Sequence, residues 1–126
     1  MLKDSDITEK IVGCAITVHN ELGCGFQEII YQRSLAIEFD TIGISAQSEY
    51  EMPIRYKGQL VGVRRVDFLV AGKICVELKA VEELANAHLA QARNYLEASY
   101  LETGLLINFG SQRLEFKRIF NNKLKK

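Results

Sequence analysis

The run Val66-Asp67-Phe68-Leu69-Val70, followed after a short turn by Ile74-Cys75-Val76-Glu77-Leu78-Lys79-Ala80, decides how this chain is expected to fold. Both runs are mainly apolar and rich in β-branched residues, and the glycine-containing connection between them predicts an antiparallel hairpin. Successive side chains of a strand point to opposite faces, so Glu77 and Lys79 share one face. Charged side chains in such apolar strands cost free energy unless they meet one another, water or a cation.

Helices are predicted before and after this hairpin. Asp6 and Glu9 have the spacing of a capping box, with Asp6 as the N-cap of a first helix that ends at Gly23-Cys24-Gly25. Apolar periodicity predicts a second helix from about Phe26 to Asp40 and a third from Val81 or Glu82 to Tyr100. The other strands are predicted over Ile44–Tyr56, Leu60–Val70, Gly104–Phe109 and Arg113–Phe120. We therefore expect one α/β domain with a mixed, mainly antiparallel sheet flanked by helices.

Length and composition limit the classes of protein that this chain can form. It has 126 residues, 48% hydrophobic and 25% charged, with a formal net charge of zero, which suits a single globular domain and gives no bulk attraction to nucleic acid. The basic end from Ser111 to Lys126 could contact phosphates or be a solvated terminus. Because no membrane span or signal peptide is apparent, we expect a cytoplasmic, prokaryotic protein without a membrane partner.

The charged residues of the two strands suggest a metal site. If the strands pair, Asp67 approaches Glu77 and Lys79 across the ladder. Two carboxylates and a backbone carbonyl form a hard oxygen site suited to Mg²⁺ or Mn²⁺, and such an ion activates water for phosphodiester hydrolysis. The alternative is that Glu77 and Lys79 form a solvent-facing pair on a half-exposed strand.

Asp67, a spacer and Glu77-Leu78-Lys79 resemble the motif of the PD-(D/E)xK nuclease superfamily, although Val66 stands where the name has proline. Gly25-Phe26-Gln27-Glu28-Ile29-Ile30-Tyr31 resembles the signature of the GxxExxY proteins, a small bacterial and archaeal family placed in that superfamily. Further segments that resemble this family are residues 77–82, 91–96 and 104–110. The resemblance extends from about Ile11 to Phe120 and implies a restriction-endonuclease-like core.

The resemblance implies a role for each matching residue. Asp67 and Glu77 would hold Mg²⁺ or Mn²⁺, with the Leu78 carbonyl as a third ligand, and Lys79 would be the catalytic lysine. Glu28 matches the helical acid that joins the metal shell through water in many members. Its alternative is an ordinary exposed helical glutamate.

Other polar residues are candidates for contact with the substrate. Gln91 and Tyr95 form a QxxxY pair, as in nucleases related to bacterial recombination exonucleases, and their spacing places them on one helix face. His88 lies one turn earlier and could contact a phosphate, carry a proton or be structural. Tyr31 shares a face with Glu28 and is either a substrate contact or a core aromatic with a polar tip.

Two arginines precede Asp67, namely Arg64 and Arg65. One could contact phosphate and the other could solvate the sheet, and we take Arg65 as the candidate for substrate binding. The leading hypothesis is a metal-dependent nuclease that cleaves DNA. The alternatives are a catalytically silent nucleic-acid-binding or regulatory module, and an interaction protein that forms a homodimer.

Overall fold

The computed structural model describes residues 4–124. Its elements are α1 (Ser5–Leu22), α2 (Glu28–Ile42), β1 (Ala46–Tyr56), β2 (Gln59–Val70), β3 (Ile74–Lys79), α3 (Asn86–Ala98), β4 (Thr103–Asn108), β5 (Glu115–Phe120) and a 3₁₀ turn, Asn122–Leu124. This order of two helices, three strands, a helix and two strands confirms the prediction. Within the described residues, no helix is long and apolar enough to cross a bilayer.

The five strands form one sheet in the order β1-β2-β3-β4-β5. All neighbours are antiparallel except β3 and β4, which run parallel from the pair Ile74↔Thr103 to the pair Lys79↔Asn108. The α3 segment makes the crossover that a parallel pair requires. The predicted mixed, mainly antiparallel sheet is therefore confirmed.

Helices cover the two faces of the sheet and divide the core into two clusters. Helices α1 and α2 pack on one face, where the cluster includes Ile11, Leu35 and Phe39 from the helices and Phe68, Val76, Leu78 and Ile107 from the sheet. Helix α3 covers the other face, where Leu96 packs with Met52, Val66, Cys75 and Ile119. Strands β3 and β4 are buried on both faces, which explains their almost continuous apolar sequences.

The start of α1 differs from the prediction. The helix begins at Ser5 after Asp4, so the assignment of Asp6 as the N-cap was wrong. The Asp4 side chain makes no cap hydrogen bond, because its carboxylate lies 3.0 Å from Lys73 Nζ on the turn between β2 and β3. A tertiary ion pair has replaced the local cap.

Helix α3 begins later than predicted, at Asn86. The preceding segment is a loop because Asn108 binds it from β4: the Val81 N–H donates to Asn108 Oδ1 at 2.9 Å, and Asn108 Nδ2 donates to the Val81 carbonyl at 2.9 Å. Glu115 accepts from the Leu84 N–H at 3.0 Å. Gly110 lies against the Val81 backbone in the same region. The remaining element ends lie within about two residues of prediction, which is ordinary for helix and strand boundaries.

Strands β1 and β2 pair over a longer stretch than β2 and β3 do. Strands β1 and β2 pair from Ala46↔Val70 to Tyr56↔Gln59, whereas β2 and β3 pair only from Val70↔Ile74 to Phe68↔Val76. Beyond that last pair the two strands separate. The gap between them holds the polar residues of the candidate site.

Candidate active site

Asp67 lies where β2 leaves β3. Its Oδ2 accepts a hydrogen bond from the Leu78 N–H at 2.8 Å, and its Oδ1 accepts one from Gln32 Nε2 of α2 at 3.2 Å. The carboxylate thus takes the place of the next ladder partner for β3 and satisfies a backbone donor that would otherwise be unpaired. Asp67 is fixed directly against the Glu77-Leu78-Lys79 segment.

The Leu78 carbonyl faces the same gap. The N–H and C=O of one strand residue project to the same side of the strand, while those of the next residue project to the other. The backbone of Lys79 points to the opposite side of β3, towards β4, because its carbonyl accepts a hydrogen bond from the Phe109 N–H at 2.8 Å. The Leu78 N–H points at Asp67, so the Leu78 carbonyl is directed towards the space beside this carboxylate.

Glu77 is buried, with 8% of its surface exposed, and it pairs with Arg64 of β2. Arg64 Nη2 donates to Glu77 Oε1 at 3.1 Å and lies 3.0 Å from Oε2. The guanidinium carbon lies 4.2 Å from the centre of the Tyr95 ring on α3. Arg64 is therefore held between a carboxylate and an aromatic face, which is a favourable setting for a guanidinium.

Removal from water disfavours the charged form of Asp67 and Glu77 more than their neighbours favour it. Burial raises the pKa of Glu77 to about 7, although Arg64 and Lys79 act to lower it. Burial also raises the pKa of Asp67, against the hydrogen bond from Leu78 and the charge of Arg64. Glu28 is exposed, as in the alternative that the sequence left open, but partial desolvation and the charge of Asp67 raise its pKa. Further positive charge would be stabilised here.

Two neighbouring cavities divide these residues. An open cavity of about 460 Å³ is lined by Glu28, Ile29, Gln32, Glu49, Arg65, Val66 and Asp67. A cleft of only about 10 Å³ is lined by Arg64, Glu77, Lys79, His88, Gln91, Ala92, Tyr95 and Leu106. We call these the open cavity and the narrow cleft. The hydrogen bond from the Leu78 N–H to Asp67 links a residue that lines the open cavity to the β3 segment whose Glu77 and Lys79 line the narrow cleft.

The narrow cleft brings together most residues that the sequence proposed around Lys79. Gln91 and Tyr95 lie on its α3 wall, opposite Glu77. His88 lines it as well, but its Nδ1 accepts from the Ala85 N–H at 2.9 Å and so caps α3. That hydrogen bond requires an unprotonated Nδ1 and leaves only Nε2 for any contact in the cleft.

Two further candidates, Tyr31 and Arg65, lie outside the narrow cleft. Tyr31 is fully buried, stacks on Phe109 at 4.6 Å and donates from its hydroxyl to the Gly23 carbonyl at 2.6 Å. This placement favours the core alternative that the sequence left open, and Tyr31 does not line either cavity. Arg65 is exposed at the edge of the open cavity, where its Nη2 lies 3.4 Å from a Glu51 carboxylate oxygen.

Two residues of the region were missed or misjudged from the sequence. Gln32 lies one helical turn after Glu28, a spacing that places both on one face and that could have indicated its contact with Asp67. Arg64, rather than Arg65, is the arginine that faces Glu77. Strand alternation counted from Asp67 assigns Arg64 to the opposite face, so the sequence carries no simple signal for this contact.

The chemistry of the oxygen atoms fits a hard divalent cation, although the ligands are not yet gathered around one point. Glu77 Oε2 is buried and makes no hydrogen bond with any described residue, because its 3.0 Å approach to Arg64 lacks hydrogen-bond geometry. With Asp67 and the Leu78 carbonyl it forms a donor set of the kind that Mg²⁺ and Mn²⁺ prefer. Over residues 4–124, no three acidic, histidine or cysteine side chains converge as a ready metal cluster. Glu77 is instead turned towards Arg64.

The fold and the motif together define a nuclease-like α/β domain. The sequence profile of the PD-(D/E)XK nuclease superfamily matches residues 5–119, and the chain belongs to this superfamily. The Asp67 and Glu77-Leu78-Lys79 segments lie inside the matched region.

Solved structures agree with this fold. The crystal structure of SSO0001 superposes with a TM-score of 0.53 at 16% identity, over 96% of this chain and 70% of that one. The alkaline exonuclease LHK-Exo from Laribacter hongkongensis superposes with a TM-score of 0.53 at 8% identity, over 98% of this chain and 73% of that one. No curated protein sequence matches the chain. At these identities the likeness concerns the fold alone, and it supports the predicted restriction-endonuclease-like core.

Proposed function

We propose that the chain is a metal-dependent nuclease that hydrolyses phosphodiester bonds in DNA. The observation that carries this proposal is the Asp67 carboxylate bound to the backbone N–H of Leu78, between Glu77 and Lys79. That bond holds the acid of one strand against the acid–lysine pair of the next, as the superfamily motif requires.

Asp67, Glu77 and the Leu78 carbonyl are the residues that would hold Mg²⁺ or Mn²⁺, with Glu28 acting through water. When bound, the ion would lower the pKa of a water ligand and neutralise charge on the phosphorus centre. The raised pKa values of Asp67 and Glu77 support this assignment, because carboxylates withdrawn from water are stabilised by a bound cation.

The protein's own side chains supply orientation and charge. Lys79 follows Glu77 on the same face of β3, and its ammonium would orient the attacking water and stabilise negative charge on the phosphate. Gln91 and Tyr95 would position the nucleic-acid strand from α3, and His88 would offer Nε2 to a phosphate. Arg65 would contact the backbone at the rim of the open cavity.

Several finer assignments belong to this proposal. The Gly25–Tyr31 segment supports membership of the GxxExxY family. A single catalytic domain, a prokaryotic and cytoplasmic setting, and a homodimer as an alternative assembly are predictions from the sequence. Preference for DNA over RNA is likewise a proposal.

A catalytically silent module is the second candidate, and one observation favours it. Glu77 is engaged by Arg64, and the described residues contain no ready three-carboxylate cluster. A protein that has lost turnover could keep its fold with such an internal ion pair. Calorimetry with Mn²⁺ separates the candidates, because a silent module of this kind would show no metal binding.

The decisive experiment is an assay of single-stranded, duplex and branched DNA, and of RNA, with Mg²⁺ or Mn²⁺. The variants are Asp67→Asn and Lys79→Gln, with Asp40→Asn and Lys117→Gln as controls, since Asp40 and Lys117 are exposed and lie outside both cavities. We expect metal-dependent cleavage that the first two variants abolish and the controls retain. Equal cleavage by all five proteins would reject the mechanism.

A further inference from the structure

We propose that Arg64 is an internal counter-cation, which holds Glu77 while the site lacks metal and then moves its guanidinium to a phosphate of the substrate. This inference rests on the proposed function and adds a residue that the motif does not include. It assigns Arg64 two successive partners, a carboxylate of the protein and a phosphodiester of the nucleic acid.

The positive charge of Arg64 lies at the carboxylate that a metal ion would use. Arg64 Nη2 contacts both oxygens of the Glu77 carboxylate, at 3.1 Å and 3.0 Å. A divalent cation ligated by Glu77 would meet the positive guanidinium at the same carboxylate. The two cations therefore compete, and by linkage each must weaken the binding of the other.

The narrow cleft has no room for a phosphate while Arg64 stays in place. The narrow cleft has a volume of about 10 Å³, which is about enough for one water molecule. A phosphate group is much larger than one water, so it cannot lie between Lys79 and Tyr95 while Arg64 keeps its present position. Movement of the guanidinium would release Glu77 and enlarge the cleft together.

Arg64 has one further donor without a partner. Its Nη1 donates to the Arg65 carbonyl at 3.2 Å and its Nη2 donates to Glu77, but its Nε is buried without a hydrogen-bond partner in the described part of the chain, an arrangement that costs free energy unless a ligand completes it. The Tyr95 ring at 4.2 Å supports the guanidinium plane. Once Nη2 leaves Glu77, Nε and Nη2 form a planar fork that is suited to bidentate contact with a phosphate.

The experiment uses the full chain and compares Arg64→Gln with Arg33→Gln. Arg33 is the control because it is exposed on α2 and lines neither cavity. Calorimetry with Mn²⁺ is expected to show binding about tenfold tighter in Arg64→Gln, a size typical of coupling between two sites. We expect Arg33→Gln to stay within about twofold of the wild type, because exposed charges are largely screened.

The second measurement is binding of a DNA oligonucleotide in Ca²⁺, which supports binding without fast turnover in many Mg²⁺ enzymes. Arg64→Gln is expected to bind this DNA about tenfold more weakly than the wild type, a loss on the scale of one charge-assisted contact. Arg64→Gln is therefore expected to raise the affinity for Mn²⁺ and to lower the affinity for DNA. An arginine with a purely structural role would weaken both.

The outcomes separate this inference from the proposed function. If the wild type binds Mn²⁺ and cleaves DNA while Arg64→Gln binds Mn²⁺ no more tightly, the Arg64 inference fails and the nuclease stands. If the wild type binds Mn²⁺ without cleavage and Arg64→Gln tightens that binding, the counter-cation stands and the nuclease fails. If neither protein binds Mn²⁺, both are overturned.

A measurement on the wild type covers the case in which Arg64→Gln does not fold. Nitrogen-15 NMR can follow the side-chain Nε–H signals of Arg64 and of the control Arg33, assigned through their own backbones. Addition of Mg²⁺ is expected to shift the Arg64 signal and leave that of Arg33 in place. An Arg64 signal unmoved at saturating Mg²⁺ would overturn the inference.

Discussion

The open cavity contains the half-buried carboxylate of Asp67 and the narrow cleft the buried carboxylate of Glu77. Both have a raised pKa, but their partners differ. Asp67 is held by neutral donors, the Gln32 amide and the Leu78 N–H. Glu77 is held by a full positive charge, that of Arg64. Neutral donors fix a carboxylate and leave its charge available to a cation, whereas a guanidinium already supplies part of the positive charge that a cation would bring. Under the proposed function, Asp67 would therefore be a metal ligand already in place, and Glu77 would be a ligand that Arg64 must first release.

The largest expected effect comes from the fixed carboxylate. Asp67→Asn keeps the size of the side chain but removes its charge, and we expect cleavage to fall about 10³-fold, the scale of losing one group that stabilises a transition state. Steady-state cleavage rates with Mg²⁺ measure this effect, with Asp40→Asn as the control. A loss below about tenfold would contradict a role for Asp67 as a metal ligand.

The next effect concerns the ammonium of the narrow cleft. Lys79→Gln is expected to lower cleavage about 10²-fold with little change in Mn²⁺ affinity, because the lysine acts on water and phosphate and not on the metal. Cleavage assays and calorimetry on the same samples test both parts. Weaker Mn²⁺ binding in step with the lost activity would place Lys79 among the determinants of the metal site instead.

The third prediction concerns the free energy that the metal-free protein loses when the buried Glu77 carboxyl group ionises. Because the pKa of Glu77 is raised to about 7, its contribution to stability is complete below about pH 4.3, the unfolded value, and is lost as pH rises through about 7. Glutamine at this position has no carboxyl group to ionise, so the variant keeps the stability that the wild type loses at high pH. We expect Glu77→Gln to stabilise the metal-free protein at pH 8 by about 1–3 kcal/mol.

Urea denaturation at pH 5 and pH 8 measures the change. The control is Glu51→Gln, since Glu51 is an exposed residue on β1, which β2 separates from β3. A Glu77→Gln protein that loses as much stability as the wild type between these pH values would show that Arg64 neutralises Glu77 fully.

The smallest effect concerns the amide that holds Asp67. Gln32→Ala removes one hydrogen bond to Oδ1 and leaves the Leu78 bond intact, so we expect cleavage to fall about tenfold, as for the loss of a group that orients a metal ligand. Thermal unfolding and cleavage rates are the measurements, with the exposed Gln47→Ala as the control. An unchanged rate would mean that the Leu78 N–H alone orients Asp67.

The sequence predicted the fold well because the apolar periodicity of its helices and strands is strong. It failed where distant residues replaced local signals. Asp4 pairs with Lys73 instead of capping α1, and Asn108 holds Val81 in a loop that helical periodicity had assigned to α3. Local patterns contain no information about such partners.

The candidate site was predictable in its motif and unpredictable in its packing. Val66 and Phe68 are two residues apart, yet Val66 packs beneath α3 and Phe68 beneath α1 and α2. The alternation of β2 therefore changes phase at Asp67, and Arg64 comes to the same side as Glu77. A strict two-residue period cannot predict this change, which explains why Arg65 was chosen from the sequence.

Gly110 has a consequence for the width of the narrow cleft. A side chain at this position would overlap the backbone of Val81, so the turn after β4 sits directly against the connection that leads from β3 into α3. The position of α3, the helix that carries Gln91 and Tyr95, therefore depends on a contact outside the narrow cleft. A residue larger than glycine at position 110 would push the β3–α3 connection outward and tilt α3, although no residue that lines the cleft had been changed.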